Sequence, residues 1–199
     1  MATQTIAQRL WPVAGSALVR NVVLAVAGSL LVAGAAQISI PMWPVPMTLQ
    51  TLAVLGIGGA YGARLGFATL ALYALEGAAG LPFFAGGQAG LYKDGALISS
   101  GGYIIGFILA AALVGWLAEK GWGSSPFKMA LAAFIGGAAL YIPGLIWLAA
   151  WAAQVKGMAV ADAIPAAISW GFTPFLAGDA IKALIAGLGI GSVMKAWRA

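Results

Sequence analysis

The sequence contains neither cysteine nor histidine. Without cysteine there is no disulfide framework, thiol nucleophile or thiolate-held metal. Without histidine the commonest metal ligand and the commonest general base near neutral pH are missing too. Charge is equally scarce: ten lysines and arginines and five carboxylates make up 8% of 199 residues, where an average soluble domain has roughly 25%. The five carboxylates, Glu76, Asp94, Glu119, Asp162 and Asp179, form no evident pair along the chain. A metal site, a catalytic triad and hence an enzyme are not expected, and no cofactor is implied. No Gly-x-x-x-x-Gly-Lys-Ser/Thr loop is present, so the chain does not itself bind ATP in that manner.

What is abundant is apolar: 62% of the residues, with a mean hydropathy of +0.98. So few charges cannot solvate the surface of a water-soluble globule, and disorder requires low hydrophobicity. The chain therefore reads as an all-α integral membrane protein, a single membrane domain over 1–199, with the lipid bilayer as its solvent. The net charge of +5 does not point to nucleic acid; it raises the question of which side of the membrane each base occupies. The small-residue run Ala33-Gly34-Ala35-Ala36 resembles a signal-peptide cleavage site. Cleavage is not expected, because the chain beyond this run remains extremely apolar and still needs the membrane.

Charge-free stretches of about 20 residues mark the spans. They predict six transmembrane helices at about 17–37, 47–60, 64–76, 102–119, 128–153 and 174–195. Ile38 to Pro46 carries three prolines and cannot continue a helix. Gly77 to Gly102 carries eight glycines and reads as a long loop that could re-enter the membrane. Pro143 is expected to kink the fifth helix. Lys156 to Thr173 reads as a further long loop with room for a short amphipathic helix. Thr173-Pro174 offers an N-cap followed by proline in the first turn of the last helix.

Six spans put both termini on one side. That side collects Arg9, Arg20, Arg64, Lys120, Lys128, Lys195 and Arg198, against Lys93 and Lys156 on the other. The positive-inside rule then places both termini in the cytoplasm of a cell-membrane protein. The long loops lie outside, and long loops are usually functional, so a ligand is expected to bind from the outer side.

Asp179 and Lys182 lie within the last span. Each charge in a span costs about 2.5–3.5 kcal/mol and usually faces an interior cavity. Their i, i+3 spacing puts both on one helix face, about 8 and 12 Å in from Pro174 at 1.5 Å per residue. An internal ion pair that only neutralises itself is one reading. A ligand site is the favoured one, because a helix needs no such pair for stability: Lys182 receives an anion and Asp179 accepts from ligand N–H groups.

Other candidates are weaker. Tyr103 follows Ser99-Ser100-Gly101-Gly102, and a helix N-terminus of this kind suits an anion; an interfacial tyrosine is the alternative. Gln88, among glycines, either reads a polar group on a ligand or is a solvated loop residue. Gln50 is polar inside an apolar span and needs a partner. Thr48 and Thr51 have an alternative in their own helix backbone. Trp43 is a belt aromatic or a lid. Ala25, Ser29 and Ala33, four apart on the first helix, allow close helix approach, either within the bundle or as a docking face for a partner membrane protein.

Four segments taken together, Pro44 to Thr51, Gly77 to Gly87, Gly101 to Phe107 and Pro174 to Lys182, resemble the BioY family, the biotin-binding S components of energy-coupling factor (ECF) transporters. The resemblance runs from about Gln37 to Ala186. It implies the six-helix S-component fold, biotin as the transported ligand, and partners consisting of a transmembrane coupling subunit and cytoplasmic ATP-binding-cassette subunits. It implies polar ligand contacts at Asp179 and Lys182 and an amide side chain at Gln88. Biotin's ureido ring needs an acceptor, which Asp179 or Gln88 offers. Its carboxylate needs a cation, which Lys182 offers, and its apolar parts need walls, for which Trp43, Tyr103 and Phe84 are candidates. A self-sufficient carrier and an S component for another small vitamin are the rival readings.

Overall fold

The computed structural model describes residues 5–11, 16–93 and 95–197; the charged residues Asp94 and Arg198 lie outside them. Helix α1 (Ile6–Leu10) is closed by a capping box in which Thr5 and Gln8 satisfy each other's backbone N–H groups. Helix α2 (Ala17–Gln37) ends where the proline-rich segment begins. That segment folds back on itself, with β1 (Ser39–Ile40) pairing antiparallel to β2 (Met47–Thr48). The prolines between the strands have no N–H for a ladder. Met47 and Thr48, expected to open the second helix, are therefore strand residues, and α3 runs Gln50–Tyr61.

Gly62, at φ +83°, makes the reversal into α4 (Ala63–Ala78). The glycine-rich stretch contains a 3-10 turn at Ala85–Gly87 and a small hairpin of β3 (Tyr92–Lys93) and β4 (Ala96–Leu97). Helix α5 (Gly101–Glu119) comes next. Ser125 caps α6 (Pro126–Ala139), whose first position is Pro126. Beyond it are α7 (Tyr141–Lys156), α8 (Val160–Gly171), a 3-10 turn at Thr173–Phe175 and α9 (Leu176–Ala196).

The expected fifth helix is thus two, broken at Leu140 three residues before Pro143. Proline has no N–H to offer the carbonyl four residues back, here Ala139, and its ring crowds that carbonyl. The break falls there rather than at the proline. The segment between α7 and α9, expected to be largely loop, is mostly α8, which turns Ala163, Ala167 and Gly171 inward at four-residue spacing. Four helical stretches are long and apolar enough to cross a membrane: Ala17–Gln37, Gly101–Glu119, Pro126–Lys156 and Val160–Ala196. Helices α3 and α4 have 12 and 16 residues, about 18 and 24 Å, shorter than a hydrocarbon core of about 30 Å.

Helix α5 is the axis of the bundle, packed by α3, α4, α6 and α7. Helix α9 lies against α6 and α3, α2 against α4 and α3, and α8 against α7. Close approach depends on glycine. A Cβ on Gly58 would lie 2.6 Å from the Ala111 carbonyl oxygen of α5, and one on Gly187 would run into the Ala130 backbone of α6. The Ala25–Ser29–Ala33 stripe of α2 faces the same way: Ser29 is fully buried, Ala33 nearly so, and Ala25 half-buried. Gly28 beside them abuts Thr69, Tyr61 and Ile57. Ser29 and Ala33 of this stripe are therefore taken up by packing within the bundle, on α3 and α4. What α2 turns outward is Leu18, Val19, Val22, Val23, Leu30 and Leu31.

Candidate ligand site

The two charges of α9 meet as their spacing requires. Lys182 Nζ lies 2.8 Å from Asp179 Oδ1, with side chains only 12% and 11% exposed; it is the one ion pair among the described residues. Two other elements hold the pair. From the start of α7, the Tyr141 hydroxyl donates to Asp179 Oδ2 at 2.5 Å. From β2, the Thr48 carbonyl accepts from Lys182 Nζ at 2.7 Å. An ammonium has three N–H donors, so one remains for a ligand.

The pair sits in the wall of a narrow cavity, about 530 Å³ of empty space when the open mouth is counted and about 40 Å³ inside it. Phe84, Tyr103, Phe107, Tyr141 and Phe175 supply aromatic surface, and Val45, Pro46, Ile104 and Leu140 aliphatic surface. Gln50, Thr48, Thr51, Tyr73 and Ser100 add polar groups to the lining. The arrangement suits a small amphiphilic anion: one cation, one carboxylate acceptor, a few neutral polar groups and apolar walls.

Gln50 finds the partner its position demanded. Its Nε2 donates to the Tyr73 hydroxyl at 2.6 Å, which donates in turn to the Phe83 carbonyl at 3.1 Å, and its Oε1 accepts from Thr48 Oγ1 at 3.0 Å. This relay ties the first turn of α3 to α4 and to the glycine-rich segment. Phe84 is held by Tyr73, ring edge against ring face with centroids 5.7 Å apart. Gly77 must lack a side chain, since a Cβ there would fall within the Phe84 ring. The Phe84 carbonyl also accepts from Gln37 Nε2 at 3.3 Å, at the end of α2.

Of the residues singled out from the sequence, Asp179, Lys182, Gln50, Tyr103 and Phe84 converge on this cavity. Tyr103 does so as a wall: its hydroxyl donates to the Gly171 carbonyl at 2.8 Å and its ring stands edge-on to Tyr141. Gln88 is not among the lining residues. Gly86 and Gly87, at φ +68° and +73°, turn the chain so that Phe84 and Gln88 bridge each other. Phe84 then points inward, while the Gln88 amide donates to the Ala89 carbonyl at 2.8 Å. Trp43 is also outside the lining and 61% exposed. Its ring packs edge-on to Trp151 and Trp170, with Lys156 Nζ 5.1 Å from its centroid. Ala25, Ser29 and Ala33 take no part in the cavity.

Tyr141 and Tyr73 were missed at the sequence level, and so was the Thr48 carbonyl. The two tyrosines did carry a signal, because a phenol inside an apolar helix must find a partner when buried. The carbonyl carried none; backbone groups are invisible to residue type.

Comparison with known proteins agrees with this architecture. The chain is 40% identical over 163 residues to the biotin transporter BioY of Thermotoga maritima, covering 80% of this chain and 86% of that one. It is 34% identical over 151 residues to the probable biotin transporter BioY of Pyrococcus horikoshii, covering 76% and 82%. A crystal structure of the S-component for biotin from an ECF-type ABC transporter superposes with a TM-score of 0.70 over 92% of this chain and 95% of that one, at 22% identity, which shows a shared fold. The BioY family profile matches residues 4–199, well beyond the segments that first suggested it, and the chain belongs to the BioY family.

Proposed function

We propose that this protein is a biotin-capture subunit, a single six-span membrane domain with both termini cytoplasmic. It binds biotin from the outer side in the Asp179–Lys182 cavity and releases it inward when coupled to an energising module. The observation that carries the reading is the near-buried ion pair with one ammonium N–H to spare in an aromatic-walled cavity. The names of the relatives support biotin as the ligand. The valerate carboxylate docks on the remaining N–H of Lys182. The ureido N–H groups donate to Asp179 or to the Gln50 amide oxygen, and the thioether ring and alkyl chain lie on Phe84, Tyr103 and Phe107. Because Lys182 also holds β2, ligand binding is felt by the hairpin that carries Trp43, and the segments bearing Trp43 and Gln88 close over the mouth. The energy comes from a transmembrane coupling subunit and ATP-binding-cassette subunits, which the chain needs because it has no phosphate-binding loop of its own.

Equilibrium binding of biotin to the purified protein in detergent tests this, with Asp179→Asn and Lys182→Ala beside it. A hydrogen bond to a charged group contributes about 1.5–3 kcal/mol, so the Lys182 change is expected to weaken binding about ten- to a hundredfold. Undiminished binding in both variants would move the site out of this cavity. No binding by folded wild-type protein would sink biotin as the ligand.

A further inference from the structure

A second cavity, of about 380 Å³, lies at the end of the bundle where α1, the first turns of α2 and the α3–α4 reversal meet. It is remote from the ligand site: Arg20 on its wall and Gln37 beside Phe84 are separated by about 25 Å of helix at 1.5 Å per residue. Arg20 and Arg64 both line it, and neither has a carboxylate partner among the described residues. Arg20 is held in place, with Nε and Nη2 donating to Asn21 Oδ1 at 3.2 and 3.1 Å; a guanidinium has further N–H donors to give. Arg64 stands in the first turn of α4, where unpaired N–H groups and the helix dipole favour an anion. Glu119 lines the same cavity, but its Oε1 is taken by the Ala63 N–H at 3.0 Å, which caps α4. The two guanidinium groups outnumber that single carboxylate.

The remaining wall shows where the anion comes from. Val22 lines the cavity and is 53% exposed. It continues the outward apolar face of α2 formed by Val19, Val23 and Val26. A cationic pocket that opens straight onto a lipid-facing helix, at the depth where charged residues give way to an apolar span, presents a headgroup site with an acyl track beside it. We propose that this cavity binds the phosphate of an anionic phospholipid headgroup between Arg20 and Arg64, with the acyl chains on the exposed face of α2.

The test is native mass spectrometry of the detergent-purified full chain with dioleoylphosphatidylglycerol or dioleoylphosphatidylcholine added at equal concentration. Phosphatidylglycerol is expected to be retained preferentially. Arg20→Gln and Arg64→Gln should each weaken that retention about fivefold, the effect of losing one basic residue near an anionic lipid surface. Lys93→Gln, which removes a charge at the other end of the molecule, should not. Ala68→Trp, at an exposed position on the wall, fills the space without altering charge and should displace the lipid in a chain that still folds. Equal retention of both lipids, or phosphatidylglycerol held undiminished by both arginine variants, overturns the proposal. So does full competition by millimolar inorganic phosphate, which would make the site one for a soluble anion.

Discussion

Asp179 is held by two donors that arrive from different helices, Tyr141 of α7 and Lys182 of its own α9, and the two can be separated by experiment. Tyr141→Phe leaves one carboxylate oxygen without its donor while the packing of the ring is kept. A buried acceptor left unpaired costs about 1–3 kcal/mol, so thermal unfolding in detergent should show a destabilisation of that size. Unchanged stability would mean that water replaces the phenol. The ion pair asks a sharper question, whether it serves the fold or the ligand. Removing one partner of a buried pair typically costs about 3–5 kcal/mol, whereas replacing both by apolar residues is often neutral or stabilising. Asp179→Asn and Lys182→Ala should therefore each destabilise, and the double variant Asp179→Leu/Lys182→Met should recover stability near wild type. Biotin binding should be weakened in all three. If the double variant is instead the least stable, the pair serves the fold.

At the scale of the element, the bundle is set by where backbones touch. Helices α3 and α5 meet at Gly58, where an added Cβ would lie 2.6 Å from the Ala111 carbonyl oxygen and 2.9 Å from its Cα. Neither atom can rotate away, so Gly58→Ala must separate the helices and is expected to cost about 1–3 kcal/mol, as overpacking does. Gly34 on α2 has nothing within 4 Å of its would-be Cβ. There the same substitution only improves helix propensity and should stabilise by up to about 1 kcal/mol. Paired melting curves of the two variants check this; similar shifts for both would sever the link between glycine contacts and helix spacing. The same contrast explains what the sequence could disclose. The helices were legible because stretches without charge are long and their ends carry arginine, lysine or proline. The kink was legible from Pro143 in the Tyr141–Gly144 run, and the break at Leu140 adjoins that run because proline acts on the carbonyl four residues before it. The β1–β2 hairpin was illegible because its two-residue strands are too short for any periodicity. For the site, Asp179 and Lys182 announced themselves by cost alone. The direction of Gln88 depended on glycine dihedrals that composition does not encode, and the small-residue stripe of α2 had no mark to say whether bundle or partner would cover it.

At the scale of the whole molecule, two sets of contacts sort the charges by end. At one end the Arg9 guanidinium donates to the Trp197 carbonyl at 2.5 Å, and Glu119 caps α4. The first and last described helices and the two short turns therefore gather Arg9, Arg20, Arg64, Lys120, Lys128 and Lys195 together. At the other end Ser99 donates to the Pro44 carbonyl and Trp147 to the Ile98 carbonyl, and Lys156 sits over Trp43; the bases there are Lys93 and Lys156. An asymmetry of this size is expected to fix orientation during insertion with the basic end in the cytoplasm, which would leave the mouth of the Asp179–Lys182 cavity facing out. Because the chain has no cysteine, a single introduced one reports its side of the membrane without background. Ala159 and Ala196 are both exposed and are separated by α8 and by the 21 residues of α9, about 31 Å of helix. A membrane-impermeant maleimide applied to intact cells should label Ala159→Cys at once and Ala196→Cys only after permeabilisation. The reverse pattern would put the cavity mouth on the cytoplasmic side and contradict capture from outside, whereas labelling of both in intact cells would mean that α9 does not cross.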